Sequence, residues 1–355
     1  MKVVALSDPI LLLQKRVGLE WPAINKARKR AVDAGERIQQ AMKGISSTDA
    51  SVVAFGSLAR REWTAGSDVD WTLLIDGQAD PEHLRIAQDV ASRLKKAKFG
   101  EPGATGIFGN MTFSHDLVQK IGGREDTNEN TTRRILLLQE SAAFGRPEAH
   151  QRVLRLIVSR YLNEDRGLKS GRSTIKVPRF LLNDFVRYWR TLAVDFAEKQ
   201  RGQAGRGAAL RNAKLRMSRK LIFATGMLTC FSCQLLNPKA REEVIRQKAT
   251  PAMEEHLMNF MRNKPLEILA IFLLELKIGK KTAISLFSSY DSFLALLNDL
   301  EKRDHLKNLP QDEISTDSVF DEVRTLAREF ERGLTALFFH DHEQLQKLTI
   351  SYGVF

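Results

Sequence analysis

Residues 51–76, SVVAFGSLARREWTAGSDVDWTLLID, constrain the fold more than any other part of the chain. A β-branched apolar run ends in Gly56-Ser57, a short helix-compatible segment follows, and Ser67-Asp68-Val69-Asp70 opens a second apolar run. Side chains at i and i+2 of a strand point to one face. Asp68 and Asp70 are therefore expected side by side. Two adjacent carboxylates repel each other unless cations sit between them. Mg²⁺ takes oxygen ligands of this kind and shares its shell with nucleotide phosphates. Gly56 lacks a Cβ, so its backbone can approach a phosphate closely. Ser57 and the N–H groups of the Leu58–Glu62 turn can donate to anionic oxygens. The plain alternative is that Asp68 caps a turn and Asp70 is a solvated strand residue. A Gly-Ser pair ten residues upstream, with an apolar run on each side, favours the metal site.

The elements around this segment are those of a small mixed sheet. Residues 10–43 read as helix, broken near Gly18 to Pro22, with a glycine stop at the end of the second piece. Pro81 opens a helix to about Lys98, a glycine-rich loop FGEPGATG follows, and GIFGNMTFS predicts a third strand before the short helix HDLVQKIGG. Strand, helix, strand, helix, strand implies a compact mixed sheet with helices on one side. From Asn128 onward the spacing is helical, first in TRRILLLQESAAFG and then in EAHQRVLRLIVSRYLN. Beyond the polar loop 163–178 we expect helices over 179–200, 209–236, 239–248, 252–277, 281–303 and 317–349. In the last, Val319, Val323, Leu326, Phe330, Leu334 and Leu337 keep one apolar face. The chain thus divides into an N-terminal helical segment over 1–45, a sheet-bearing head over 46–165 and an α-helical region over 166–355. The fold class is α+β.

Composition narrows the partners. The 355 residues suffice for two domains, and no apolar run reaches the roughly 18 residues of a membrane span. Asp8 and Pro9 interrupt the N-terminal apolar stretch, which reads as a folded element and not as a signal peptide. Cys230 and Cys233 form a CxxC inside the apolar segment GMLTCFSCQLL, without the helix-start setting of a redox motif or the further ligands of a zinc site. They read as buried helix cysteines, and a reducing cytoplasm fits. The formal net charge of +12 favours anionic partners: nucleoside triphosphates, nucleic acid or an acidic protein surface.

Gly-Ser, ten intervening residues and then Asp-x-Asp resembles the nucleotidyltransferase signature of the DNA polymerase β superfamily. Within it, residues 106–145 look like the corresponding stretch of the bacterial PII-protein uridylyltransferases. GRGAALRNAKLRMSRKLIF is similar to that family's glycine-glycine-leucine-arginine-aspartate segment, with Leu210 and Arg211 retained and Ala208, Ala209 and Asn212 departing. The resemblance spans roughly residues 50–235. It implies a polymerase β-like sheet followed by a helical bundle, and transfer of a nucleoside monophosphate from an NTP to an acceptor hydroxyl with pyrophosphate release. Asp68 and Asp70 would be the catalytic pair and would hold Mg²⁺ (or Mn²⁺). Gly56, Ser57 and Ser67 would meet the nucleotide, joined by Lys220, because a helix of the second domain in this superfamily presents a lysine and a serine (here Ser218) to the triphosphate. Such sites commonly add a third carboxylate from a neighbouring strand. GIFGNMTFS has no acid, which leaves Asp116 and Asp126, each of which also reads as a helix-start residue. The sensing and HD hydrolase modules of the uridylyltransferases have no counterpart here. His340-Asp341-His342 reads as the end of a helix.

Other residues near the motif have two readings each. One of Arg60 and Arg61 is expected to contact phosphate and the other to face solvent. Arg206, Arg211, Lys214, Arg216, Arg219 and Lys220 form the densest basic stretch, which suits either a triphosphate or a solvated face. Trp71 alternates with Asp70 and should point into the core, whereas Trp63 could stack on a base. For the acceptor, the uridylyltransferase likeness suggests a protein. The positive charge suggests RNA, particularly a tRNA end. The Gly-Ser and Asp-x-Asp shared with cyclic GMP-AMP synthase-like bacterial enzymes suggest a second nucleotide. A non-catalytic nucleotide-binding module is the alternative outside enzymology.

Overall fold

A computed structural model describes residues 8–45, 47–100, 108–165, 176–202, 207–237 and 246–354. The glycine-rich stretch 101–106, most of the loop expected over 163–178 with the domain boundary placed there, Arg206, and most of the helix expected over 239–248 lie outside the described residues.

The N-terminal helices form where the sequence punctuates them. Helix α1 (Pro9–Val17) starts with Asp8 accepting from the Ile10 N–H at 2.9 Å, has Pro9 in its first turn and ends at Gly18 in the left-handed conformation. Helix α2 (Pro22–Ala41) restarts at a proline and is capped from outside by Asp291, which accepts from the Ile24 N–H at 2.8 Å. The Arg16 guanidinium donates to the carbonyls of Leu273, at 2.6 Å, and Ile278, and the Trp21 indole donates to Ser288 at 3.1 Å. These bonds fasten the N-terminal segment to the helical region more than two hundred residues downstream.

Strands β1 (Ala50–Ala54) and β2 (Trp71–Ile75) pair antiparallel, Ala50 opposite Ile75 and Ala54 opposite Trp71. Between them lies the four-residue helix α3 (Gly56–Ala59). Helix α4 (Pro81–Lys96) leads to β3 (Asn110–Phe113), parallel to β2, and then to α5 (Ser114–Val118) and α6 (Asn128–Gln139). A fourth strand, β4 (Ala142–Phe144), pairs antiparallel with β1, which gives the order β3-β2-β1-β4. Helical spacing through Gly145 predicts that residues 142–144 end a helix. Three residues are too few to show alternation, and only their pairing with β1 makes them a strand.

Helices cover both faces of the sheet, not one as expected. Val52, Ala54, Leu73 and Ile75 pack with α2 and α4 in one core, while Val53, Phe55 and Leu74 join a larger core with α6, α7 (Glu148–Glu164) and the C-terminal helices. Every residue of β1 and β2 is buried, as expected for strands sandwiched on both sides.

The remainder is helical: α8 (Arg179–Gly202), α9 (Ala208–Lys214), α10 (Lys220–Leu235), α11 (Arg246–Phe260), α12 (Pro265–Glu275), α13 (Lys280–Asn298), α14 (Leu300–Asn308), α15 (Ser318–Phe339) and α16 (Glu343–Leu348). Three of the long helices expected here are broken by caps. Glu267 accepts from the Lys264 N–H at 2.9 Å just before Pro265, Asp299 accepts from the N–H groups of Glu301 and Lys302, and His342 accepts from that of Leu345. The apolar face of α15 buries Val323, Phe330, Leu334 and Leu337. Cys230 and Cys233 are free and buried in α10, and burial raises both thiol pKa values. Among the described residues no helix is long and apolar enough to cross a membrane.

Candidate active site

The sheet brings the two acidic residues to the turn that follows β1. The Phe55 N–H donates to the Asp70 carbonyl at 2.8 Å, which extends the β1–β2 ladder by one step and sets Gly56 against the Asp70 side chain. Gly56 has φ +69°, and a Cβ built there would lie 3.1 Å from Asp70 Oδ2. Both facts select glycine. We expect Gly56→Ala to strain this turn by about 1–2 kcal/mol and to push against the Asp70 carboxylate. Urea unfolding combined with a turnover assay would show it, and a substitution silent in both would remove the constraint on Gly56.

Side chains alternate through the motif. Val69 is 1% exposed and Trp71 3%, both in the α2–α4 core, whereas Asp68 is exposed and Asp70 half-buried. Both carboxylates line one cleft, together with Gly56, Ser57 and Ser67. The Ser57 hydroxyl donates to Ser67 Oγ at 3.2 Å, and Ser67 Oγ accepts from the Thr64 N–H at 3.0 Å. This fixes the loop that carries the aspartates.

The opposite wall comes from the helical region. Lys214, Ser218 and Arg219 face the cleft, with Leu294 and Leu297 at the end of α13 and Arg303 from α14. The helix running from Ala208 to Leu235 contains a π-helical turn over Leu215–Arg219. In an unbroken α-helix, with 3.6 residues per turn, Lys214 and Arg219 would diverge. The wider turn slows the rotation and brings Lys214, Ser218 and Arg219 to one side. Lys220 does not line the cleft; it pairs with Glu331 at 3.1 Å.

The electrostatics match a site built for charge that arrives from outside. Burial, then the neighbouring Asp68 carboxylate, push the Asp70 pKa up to about 6, against the pull of Arg219 and Lys214. Burial, followed by Arg303, brings the Lys214 pKa down to about 8. Beneath the cleft lies a buried ion network. Arg60 Nε meets Glu62 at 2.8 Å, the other side of the guanidinium meets Glu140, and Arg219 meets Glu140 at 3.0 Å. Glu140 is fully buried, at 0% exposure. Burial opposes its ionisation, but Arg60 and Arg219 hold its pKa below the ordinary glutamate value.

Several residues singled out by the sequence have other partners. Asp126 is gripped by Arg134 through two bonds of 2.8 Å and by Arg187, inside a buried network with Tyr161 and Asp184. Asp116 pairs with Lys120 at 2.7 Å. Neither lines the cleft. Trp63 packs edge-on against Phe99, ring centres 6.3 Å apart. Arg61 pairs with Glu267 at 3.0 Å, and Arg60 faces the cleft while committed to Glu62 and Glu140. Sequence reasoning did not single out Glu62, Glu140 or Arg303. Glu140 had a signal, as the one acid in the apolar run ILLLQESAAF; Arg303 had none.

Among the described residues no cluster of three or more His, Cys, Asp and Glu side chains is arranged to hold a metal ion. Two carboxylates are a donor set that fits Mg²⁺ when substrate phosphates and water complete its shell. Burial first, and the Asp68 carboxylate second, raise the Asp70 pKa, and a cation held by the pair would oppose both.

No curated protein matches the chain. The model of the nucleotidyltransferase domain family matches residues 36–100, the segment that runs from α2 through the Gly-Ser turn and both aspartates to α4.

Proposed function

We propose that this protein transfers a nucleoside monophosphate from an NTP to an acceptor hydroxyl and releases pyrophosphate. The observation that carries this reading is the convergence of Asp68, Asp70 and Ser57 from the head with Lys214, Arg219 and Arg303 from the helical region on one cleft. Carboxylates on one wall and cations on the other suit a metal-bound polyphosphate. Asp68 and Asp70 would hold Mg²⁺ or Mn²⁺, which supplies charge neutralisation at the reacting phosphate and its leaving oxygens. Ser57, Ser67 and Ser218 offer hydroxyl donors to phosphate oxygens. An arriving polyphosphate restores full protonation to Lys214 and gives Arg303 an anionic partner. Glu140 holds Arg219 in place from below. Ionised at pH 7, Asp70 can accept a hydrogen bond from the attacking hydroxyl.

A protein hydroxyl is the acceptor we favour, on the likeness to uridylyltransferases; the charge of +12 supports an RNA end as the alternative. A non-catalytic nucleotide-binding module is the second reading. It is favoured by the lack of an acid on β3 and by the absence, among the described residues, of three acidic, histidine or cysteine side chains arranged to hold a metal; Glu62 lines the cleft but is paired with Arg60.

The deciding assay incubates the protein with each α-labelled triphosphate, Mg²⁺ or Mn²⁺ and cell extract, then separates protein, RNA and small molecules. Label in one fraction identifies the acceptor class, and nucleotide binding without pyrophosphate release leaves the non-catalytic reading. Arg303→Met is expected to raise KM for the NTP about ten- to a hundredfold, the effect of one lost charged hydrogen bond. An unchanged KM would take Arg303 out of the nucleotide site.

A further inference from the structure

A second cavity lies away from this cleft and shares no lining residue with it. It measures about 790 Å³, within the range of small-molecule sites. Its floor is the segment after α6. Ser141 donates its hydroxyl proton to the Leu137 carbonyl at 2.6 Å, so His150 Nε2, 2.7 Å away, must be the donor to Ser141 Oγ. His150 is neutral, because burial and then Lys264 bring its pKa down to about 4. Lys264 Nζ donates to the Ser141 carbonyl at 3.1 Å, and burial brings its own pKa down to about 8.

Four cations and one carboxylate are among the lining residues, beside Leu154, Met258 and Met261. Arg152 pairs with Asp76 and Arg155 with Glu254, both at the rim. Arg262 is exposed and has no ion-pair or hydrogen-bond partner among the described residues. We propose that this cavity is a second ligand site, which takes an organic monophosphate: the phosphate on Lys264 and Arg262, the apolar body against Leu154, Met258 and Met261. An excess of cations suits a dianionic head, and a partly desolvated lysine gains most from one. A thioether-lined wall accepts either a flat or an aliphatic body. The inference stands independently of the transferase reading.

The test is calorimetric titration of the intact protein, without divalent metal, with AMP, octyl phosphate and inorganic phosphate. At least one organic phosphate should bind tighter than about 1 mM, and inorganic phosphate at least about tenfold more weakly. AMP as the tighter ligand would identify a nucleotide site, and octyl phosphate an acyl-type site. Arg262→Glu, and separately Met261→Trp to fill the cavity, should each weaken binding about tenfold or more while leaving the unfolding transition in place. Arg303→Met, which removes a cation from the cleft, should leave it unchanged. Absence of binding by both organic phosphates, indifference to Arg262→Glu and Met261→Trp, or loss of binding in Arg303→Met would overturn the proposal, the last by assigning the anion to the cleft.

Discussion

Asp70→Asn is expected to lower pyrophosphate release by about three orders of magnitude or more, the scale of losing a ligand to a catalytic metal, and at the same time to stabilise the metal-free protein at pH 7. The second effect follows from the first site's own electrostatics. The Asp70 pKa is raised from 3.8 to about 6 by burial and by Asp68. Between those values the folded protein binds more protons than the unfolded chain, so stability from this group rises as pH falls through 6 toward 4. At pH 7 the ionised carboxylate is destabilising by an amount that cannot exceed about 3 kcal/mol, and a neutral asparagine of the same shape relieves part of it. Urea unfolding in a chelator should therefore show the variant more stable by about 1–2 kcal/mol at pH 7. The gain should vanish at pH 4 and below, where Asp70 is itself neutral. Wild-type turnover in the variant would remove Asp70 from the chemistry. A variant less stable than wild type at pH 7 without metal would show that the two carboxylates do not strain the cleft.

The largest stability effect is expected at Glu140. Removing its charge leaves Arg219 without its carboxylate and the buried Arg60 with Glu62 alone. Breaking a buried ion pair in this way costs about 3–5 kcal/mol, so Glu140→Ala should lower the urea midpoint strongly and blunt turnover by freeing Arg219. The pH sign is the reverse of that for Asp70. The Glu140 pKa is held below the ordinary glutamate value of 4.5, so its contribution is complete above that value and is lost as pH falls through its lower folded value. Glu62 behaves oppositely: burial raises its pKa more than Arg60 lowers it. Glu62→Gln leaves Arg60 with Glu140 and should cost less than Glu140→Gln. Equal losses for the two variants would contradict the assignment of Glu140 as the keystone.

Much of the head was legible because its signals are local. Gly56 has a positive φ and stands against a carboxylate, Asp68 and Asp70 alternate with the buried Val69 and Trp71, and the chain caps α1 with Asp8 and Gly18. Each is a matter of two or three neighbouring residues, where backbone sterics and side-chain period decide the outcome. The three-residue β4 was not legible, since its strand character exists only through β1. Helices on both sheet faces were missed because the strands are apolar throughout, and a uniform run does not say what covers which side.

The second wall of the cleft shows the limit most plainly. The sequence marked a basic stretch near residue 215, and the superfamily resemblance implied Ser218 and Lys220. The π turn at Leu215–Arg219 rotates that face, so Lys214 and Arg219 reach the aspartates while Lys220 turns to Glu331. Arg303 reaches the same cleft from a helix more than two hundred residues after the motif. The sequence by itself determined that two carboxylates and a glycine-serine turn would share one end of a small sheet, because these are consequences of a strand's period and a glycine's freedom. Only the tertiary structure decided which cations face them and which buried acid anchors those cations. That depends on helix phase and on packing between distant segments, neither of which a local pattern encodes.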